Sequence, residues 1–431
     1  MVQLVTEGPE YDAAVAIWNG AVSNRPVVVA ICTTTADVRE AIAVARDRGL
    51  PLSVRGGGHD WAGRALRDGG LVIDLTRMRQ VSIEDGVATV GGGATAEDVA
   101  AAADRLGLAV ATGTVGTVGL LGLTLGGGYG PLSGRFGLAA DNLLGAEVVL
   151  ADGSAVQADG ELLWALRGGG GNFGVVTSAR IAVHPLAEVL VGSFAFPFEE
   201  AEQVFLRYGE LLDCGPDELT SVIAIVADPE GNPLVSAAPT WSGDLAEGKD
   251  VLDGFTTLGT PLQAELTVKS PLAKLREFDG AFPDGVTYAI RTRNVAGFTP
   301  DVVTALLEAY AARTSPGTFI NIHHFHGAAS RMPIRKSAFG LRDDHFMLEF
   351  IEVGGDGKWA RAASTLLAPY SLPGGYPNLL GPEDVQQTAA AYGPNANRLL
   401  RIKRRLDPRG VFTATALPAG VSGDQGADSE E

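Results

Sequence analysis

The chain has 431 residues, 51 of them acidic and 33 basic, for a formal net charge of -18. That length allows a large core and two domains, and the charge repels polyanions; no Lys/Arg-rich run stands out against it, so nucleic acid is not expected as a partner. Cys32 and Cys214 are the only cysteines and lack metal-ligand spacing, no apolar run is long enough to cross a bilayer, and residues 1–7 lack a basic segment leading into an apolar one, which predicts a cytoplasmic protein.

In chain order, the apolar run 27–32 predicts a strand, and 35–48 a helix with Asp37 and Glu40 in its first turn. A second strand, 50–54, runs into Arg55-Gly56-Gly57-Gly58-His59. Consecutive glycines let backbone approach a ligand closely and aim several N–H groups at one anion, such as a pyrophosphate. An imidazole at the lip of that loop is available as a nucleophile. Strands at 71–75 and 87–91 follow, then a helix from 94 to 106 with Thr95 and Asp98 as a capping pair. The segment 112–130 is dense in glycine and includes Gly113, Thr117, Val118, Gly119, Gly122, Gly127, Gly128, Tyr129 and Gly130. A hairpin about Asp152-Gly153 joins 146–150 to 155–157, and 161–166 reads as a short helix. The run 167–174 then enters a strand that ends near His184-Pro185. Gly169, Gly171 and Gly174 satisfy G-x-G-x-x-G, but they follow a helix and enter a strand, the reverse of a nicotinamide-dinucleotide fingerprint.

From about 190 glycine thins out, with strands predicted at 220–226, 234–239, 286–291, 318–325 and 345–353 and helices at 199–213, 245–257 and 300–313. This pattern predicts an antiparallel sheet covered by helices on one face. On the 318–325 strand Asn321, His323 and Phe325 share a face, with His324 and His326 on the other; Glu349 and Glu352 fall on opposite faces of the next strand. His324 and His326 have no carboxylate run to complete a ligand set, so no metal is expected.

The ordered glycine series resembles the FAD-binding domain of the vanillyl-alcohol-oxidase (PCMH-type) superfamily, and within it the berberine-bridge-enzyme-like branch. The resemblance covers about 20–190 and the returning segment near 374–415. It implies an α+β fold: a two-part FAD-binding domain from 1–189 and 374–415, a substrate-binding domain from 190–373, and an acidic tail from 416–431. It also implies FAD bonded through His59. Doubly linked members carry a cysteine where this chain has Val115, so one covalent link is expected. Gly113 matches the place near which oxygen reaches the flavin, which favours an oxidase. Asp141, Asn172, Gly174, Val176 and Asn378 match positions around the cofactor.

Tyr376-Pro377-Asn378-Leu379 matches the family's Y-x-N-[YF], except that Leu379 stands where sugar-oxidising relatives use a tyrosine to deprotonate an alcohol. Alcohol oxidation needs a base as hydride leaves, whereas a neutral amine stabilises the developing iminium with its own lone pair. The departure favours amine or nitrogen-activated C–H oxidation, with Tyr376, His323 and Glu349 as candidate catalytic-site residues and a small molecule and oxygen as partners. An alcohol or oligosaccharide oxidase, a flavin dehydrogenase and a flavin-containing sequestration protein are the competing readings.

Overall fold

The computed structural model describes residues 1–213 and 215–419. Cys214 and the acidic ending 420–431 lie outside the described residues. Three sheets organise the described residues. The apolar runs Val28–Ile31, Leu71–Asp74 and Leu52–Arg55 pair in parallel, and Gln3–Val5 adds an antiparallel edge. Helix Thr35–Arg48 covers this sheet; Thr34 and Asp37 form a reciprocal capping box at its start, and Gly49 ends it at φ 63°.

The second sheet is built around the long strand Val175–Pro185, which is flanked by Val87–Gly91 and Leu143–Val149. Helix Ala96–Asp104 packs on it, capped by the expected Thr95–Asp98 pair. Helix Gly160–Leu166 precedes the 168–174 glycines and Val175–Pro185 follows them, the order that argues against a nicotinamide-dinucleotide turn.

The third sheet has seven antiparallel strands, in the order Gln263–Lys269, Val189–Pro197, Pro233–Trp241, Leu219–Ala227, Phe319–Phe325, His345–Val353, Tyr288–Val295. Alternation along its central strands divides their residues between two faces. Ile223, Ile225, Ile320, Ile322, Leu348 and Phe350 are buried beneath helices Ala201–Leu212, Pro300–Ala311 and Lys358–Leu367. Val222, Ala224, Asn321, His323, Glu349 and Ile351 face the glycine loops instead. Glu352 caps the helix side, accepting the Ala360 N–H at 3.0 Å, so the two glutamates do lie on opposite faces.

Some elements differ from the expectation. The 286–291 strand is shifted to Tyr288–Val295. Gln263–Lys269 is an edge strand exposed on both faces, so it carries no apolar alternation to reveal it. The C-terminal helix Ala396–Leu406 is a local basic run, with Arg398, Arg401, Lys403, Arg404 and Arg405, which corrects the expectation that no such run exists. Arg405 pairs with Glu161, Lys403 with Asp407, and Arg398 lies over the Trp164 ring. Among the described residues no helix is long and apolar enough to cross a membrane.

Candidate active site and cofactor cavity

A cavity of about 760 Å³ lies between the glycine loops and the polar face of the seven-stranded sheet. Gly56, Gly57, Gly58 and His59, at the end of strand Leu52–Arg55, form part of one wall. Arg55 turns away to anchor the loop base, donating to Asp74 at 3.2 Å and to the Ala16 carbonyl at 3.1 Å. The loop is pressed against the 117–119 turn: a Cβ on Gly57 would stand 2.2 Å from the Gly119 nitrogen, and one on Gly119 2.4 Å from the Gly57 nitrogen. Neither position admits a side chain. Ser53 lines the same wall, and its buried hydroxyl has no hydrogen-bond partner among the described residues.

His59 is held in place from several sides. Its Nε2 lies 2.9 Å from the Thr117 hydroxyl, which leaves Nδ1 as the other ring nitrogen. The ring stacks on Trp18 at 5.5 Å between centroids, and Trp18 stacks on Tyr288 at 4.2 Å. Burial pushes the imidazole down to about 4, against the opposing pull of Asp284 and Asp279. It is therefore neutral near pH 7 and keeps a nucleophilic lone pair.

Gly113, Val118, Gly119 and Gly122 line the cavity, as does Val115, which brings a methyl-bearing side chain and no thiol. Cys32 is buried in the core of the parallel sheet, and burial raises its thiol to about 12. Gly127, Gly128 and Gly130 do not line the cavity; they let their turn pack closely. A Cβ on Gly127 would meet the Phe339 and Tyr376 rings at 2.9 Å, and one on Gly130 would meet the Thr112 carbonyl at 2.1 Å. The Gly128 N–H donates to the Tyr376 hydroxyl oxygen at 2.8 Å.

Gly174 and Val176 are in the cavity wall, whereas Asn172 acts one step behind it. Its side-chain amide donates to Thr415 Oγ1 at 2.7 Å and to the Gly169 carbonyl at 2.9 Å, and its oxygen accepts the Ala414 N–H at 2.8 Å. These bonds clasp the 412–415 strip, which does line the cavity. Asp141 lies outside: its carboxylate pairs with both terminal nitrogens of buried Arg342, at 2.9 and 2.7 Å, and accepts the Leu138 N–H. That ion pair occupies its oxygens, and Asp141 is not among the residues that line the cavity.

On the sheet side, Tyr376, His323 and Glu349 come together although they are far apart in sequence. Glu349 accepts a hydrogen bond from the Tyr129 hydroxyl at 2.7 Å and from the Asn321 amide at 2.8 Å, and His323 Nε2 lies 3.1 Å from the same oxygen that Asn321 reaches. Burial alone would raise the Glu349 carboxyl, but His323 and the bonds from Tyr129 and Asn321 hold it below the usual carboxylate range. It is thus a buried anion in the cavity wall. Tyr129 touches the rings of both His323 and Tyr376 edge-on, at 4.6 and 4.9 Å. The Tyr376 oxygen accepts from Gly128 and, at 3.0 Å, from Asn378; burial raises this phenol to about 12, so it remains protonated. Leu379 completes the wall beside Asn378.

Several lining residues carry no chemical signature in the sequence. Trp18, Phe278 and Phe282 reach the cavity only through long-range folding. Asn321 was more accessible: it shares a face with His323 and sits opposite Glu349 in the strand register.

The family described as an FAD binding domain matches residues 26–159, and the family described as berberine and berberine like matches 376–416. (R)-6-hydroxynicotine oxidase of Paenarthrobacter nicotinovorans is 30% identical over 427 residues, covering 93% of each chain. The crystal structure of 6-hydroxy-D-nicotine oxidase from Arthrobacter nicotinovorans superposes with a TM-score of 0.88 at 27% identity, over 96% of this chain and 97% of that one. Xylooligosaccharide oxidase from Myceliophthora thermophila, in complex with xylobiose, gives 0.84 at 25% identity, over 97% of each.

Proposed function

This chain belongs to the FAD-linked oxidoreductases with a berberine-like C-terminal segment, and we propose that it is an oxidase of small amines carrying FAD on a single bond to His59. We read 1–189 with 374–415 as the FAD-binding unit and 190–373 as the substrate-binding unit, because the two walls of the cavity come from these two parts of the chain. The backbone N–H groups of 56–59 suit the pyrophosphate. Neutral His59, steadied by Thr117 and Trp18, supports attachment through Nδ1, and Val115 supports the absence of a second bond.

FAD held by the 56–59 loop and His59 would supply the acceptor for a hydride from the substrate carbon and would return the two electrons to oxygen as hydrogen peroxide. Everything else falls to the protein's side chains. The carrying observation is the Glu349 carboxylate, buried and fixed by Tyr129, Asn321 and His323, in a wall where Leu379 offers no phenol. A buried anion binds a cationic amine; once the amine has given its proton to solvent, its lone pair assists hydride loss and the same carboxylate stabilises the iminium that remains. Water then hydrolyses the iminium. Tyr376, protonated and with its oxygen held by two N–H donors, is fixed to donate to the substrate and not to remove a proton from it.

Gly113 supports oxygen as acceptor: it lines both the main cavity and a small apolar one bounded by Val110, Leu132 and Leu275. The strongly negative charge supports a protein without nucleic-acid or membrane-surface partners, a reading that fits cytoplasmic work. Anaerobic mixing with matched secondary amines, alcohols and oligosaccharides tests the proposal. Amines should bleach the flavin, and air should restore its colour with release of peroxide. Bleaching by oligosaccharides alone would reject the amine reading, and bleaching without re-oxidation in air would reject the oxidase.

A further inference from the structure

Beside the main cavity, and sharing Tyr129 and His323 with it, lies a second pocket of about 30 Å³, room for roughly two water-sized groups. Thr114, Tyr129, Phe278, His323 and Tyr376 line both spaces, so this recess adjoins the cavity that Glu349 lines.

The chemistry of the recess is opposite to that around Glu349. Lys274, only 6% exposed, lines it, while no aspartate or glutamate does. Its ammonium bonds to Glu277 and lies 4.9 Å from the Phe278 ring centroid. Glu277 also takes Lys269 at 2.9 Å, so two ammonium groups share one carboxylate and the cluster keeps a net positive charge. An ammonium has three N–H donors, and Glu277 uses one of those on Lys274. His324 lines the same recess at 8% exposure, and neither of its ring nitrogens makes a hydrogen bond among the described residues. Its ring is stacked against His326 at 4.0 Å and Phe346 at 4.9 Å, so it cannot turn away to find a partner. The Thr220 hydroxyl accepts the Gly134 N–H at 3.3 Å, which leaves its own proton free to donate.

We propose that this recess is an anchoring subsite for a carboxylate on the substrate, with Lys274 as counter-ion and His324 and Thr220 as hydrogen-bonding partners. The substrate is then an amine that also bears an acid, held at one end by Glu349 and at the other by Lys274. This inference rests on the amine reading, and it adds the second charge. Opposite charges at the two ends fix the direction in which the molecule lies, and an amine lacking the acid forfeits that orientation.

Calorimetric titration of the flavin-loaded protein with benzoate, and with benzamide as its neutral isostere, tests the subsite. Benzoate should bind at least tenfold more tightly than benzamide, Lys274→Met should remove that preference, and His324→Phe should weaken benzoate several-fold. Equal affinities in the unaltered protein, or an unchanged preference in Lys274→Met, would overturn the proposal. If Lys274→Met fails to fold with flavin, the benzoate-to-benzamide ratio in the unaltered protein and its response to His324→Phe decide. Equal probe affinities together with peroxide from neutral amines would remove the subsite and leave the oxidase. Lys274-dependent benzoate binding with no amine oxidised would do the reverse.

Discussion

Replacing Glu349 by glutamine removes one buried charge and little volume. The amide oxygen can still accept from Tyr129, but its NH2 now faces the Asn321 NH2, so Asn321 must turn or lose a bond. For a cationic substrate the loss is that of a hydrogen bond to a charged group, about 1.5–3 kcal/mol. A unit charge pair at about 4 Å and an effective dielectric of about 20 gives a ceiling near 4 kcal/mol. The expected fall in kcat/KM is therefore of the order of 100-fold. Most of it should appear in KM, because the bound ammonium and the iminium carry the same charge beside residue 349, and an interaction felt equally by both is uniform binding. Steady-state peroxide release and anaerobic flavin reduction with one secondary amine measure the two parameters. The held-down carboxyl adds a pH signature: the acid limb of kcat/KM due to Glu349 should lie below the ordinary carboxylate range and be absent in Glu349→Gln. A thousandfold fall in kcat with KM unchanged would refute this reasoning and make Glu349 an obligatory base.

Gly113→Val should slow re-oxidation by air at least tenfold while leaving anaerobic reduction nearly intact, since even a Cβ there would come within 2.7 Å of the Leu123 side chain and crowd the wall shared by the two cavities; stopped-flow re-oxidation checks it. Asn172→Ala should destabilise the protein by about 2–4 kcal/mol in urea titration and lower its flavin content, because it releases the 412–415 strip and strands several buried polar groups. His324 is held neutral, with burial pushing it down to about 2, so below pH 6.5 the unfolded chain binds the extra proton and stability declines as pH falls from about 6.5 toward 2. His324→Phe should flatten that decline, measured as the midpoint of thermal unfolding against pH.

The parts of the fold that were legible in the sequence are those whose local chemistry is self-sufficient. Thr34–Asp37 and Thr95–Asp98 announce helix starts, and strand His345–Val353 keeps its predicted limits because it is buried along almost its whole length. Parity separates Glu349 from Glu352 and His323 from His324, but only the strand register shows that His323 and Glu349 share a face. Positions fixed by distant partners were not legible. Asp141 looks like a cofactor contact until Arg342, 201 residues away, claims both its oxygens. Asn172 looks like one until the returning 412–415 strip is placed between it and the cavity. Trp18 gives no local sign that it will lie between His59 and Tyr288. Lys274 sits in an ordinary run of mixed polarity, and only the packing of helix Pro271–Leu275 beside the cavity shows that its ammonium is buried.

The account rests on the 56–59 loop as the cradle of FAD and on His59 as its one covalent anchor. Peptide mass spectrometry of the digested, acid-denatured protein tests this most directly. Flavin mass should be found on a single peptide, the one containing His59, and His59→Ala should release all its flavin into the acid supernatant. Flavin lost from the unaltered protein on acid treatment, or found on a peptide containing Cys32 or Cys214, would contradict it.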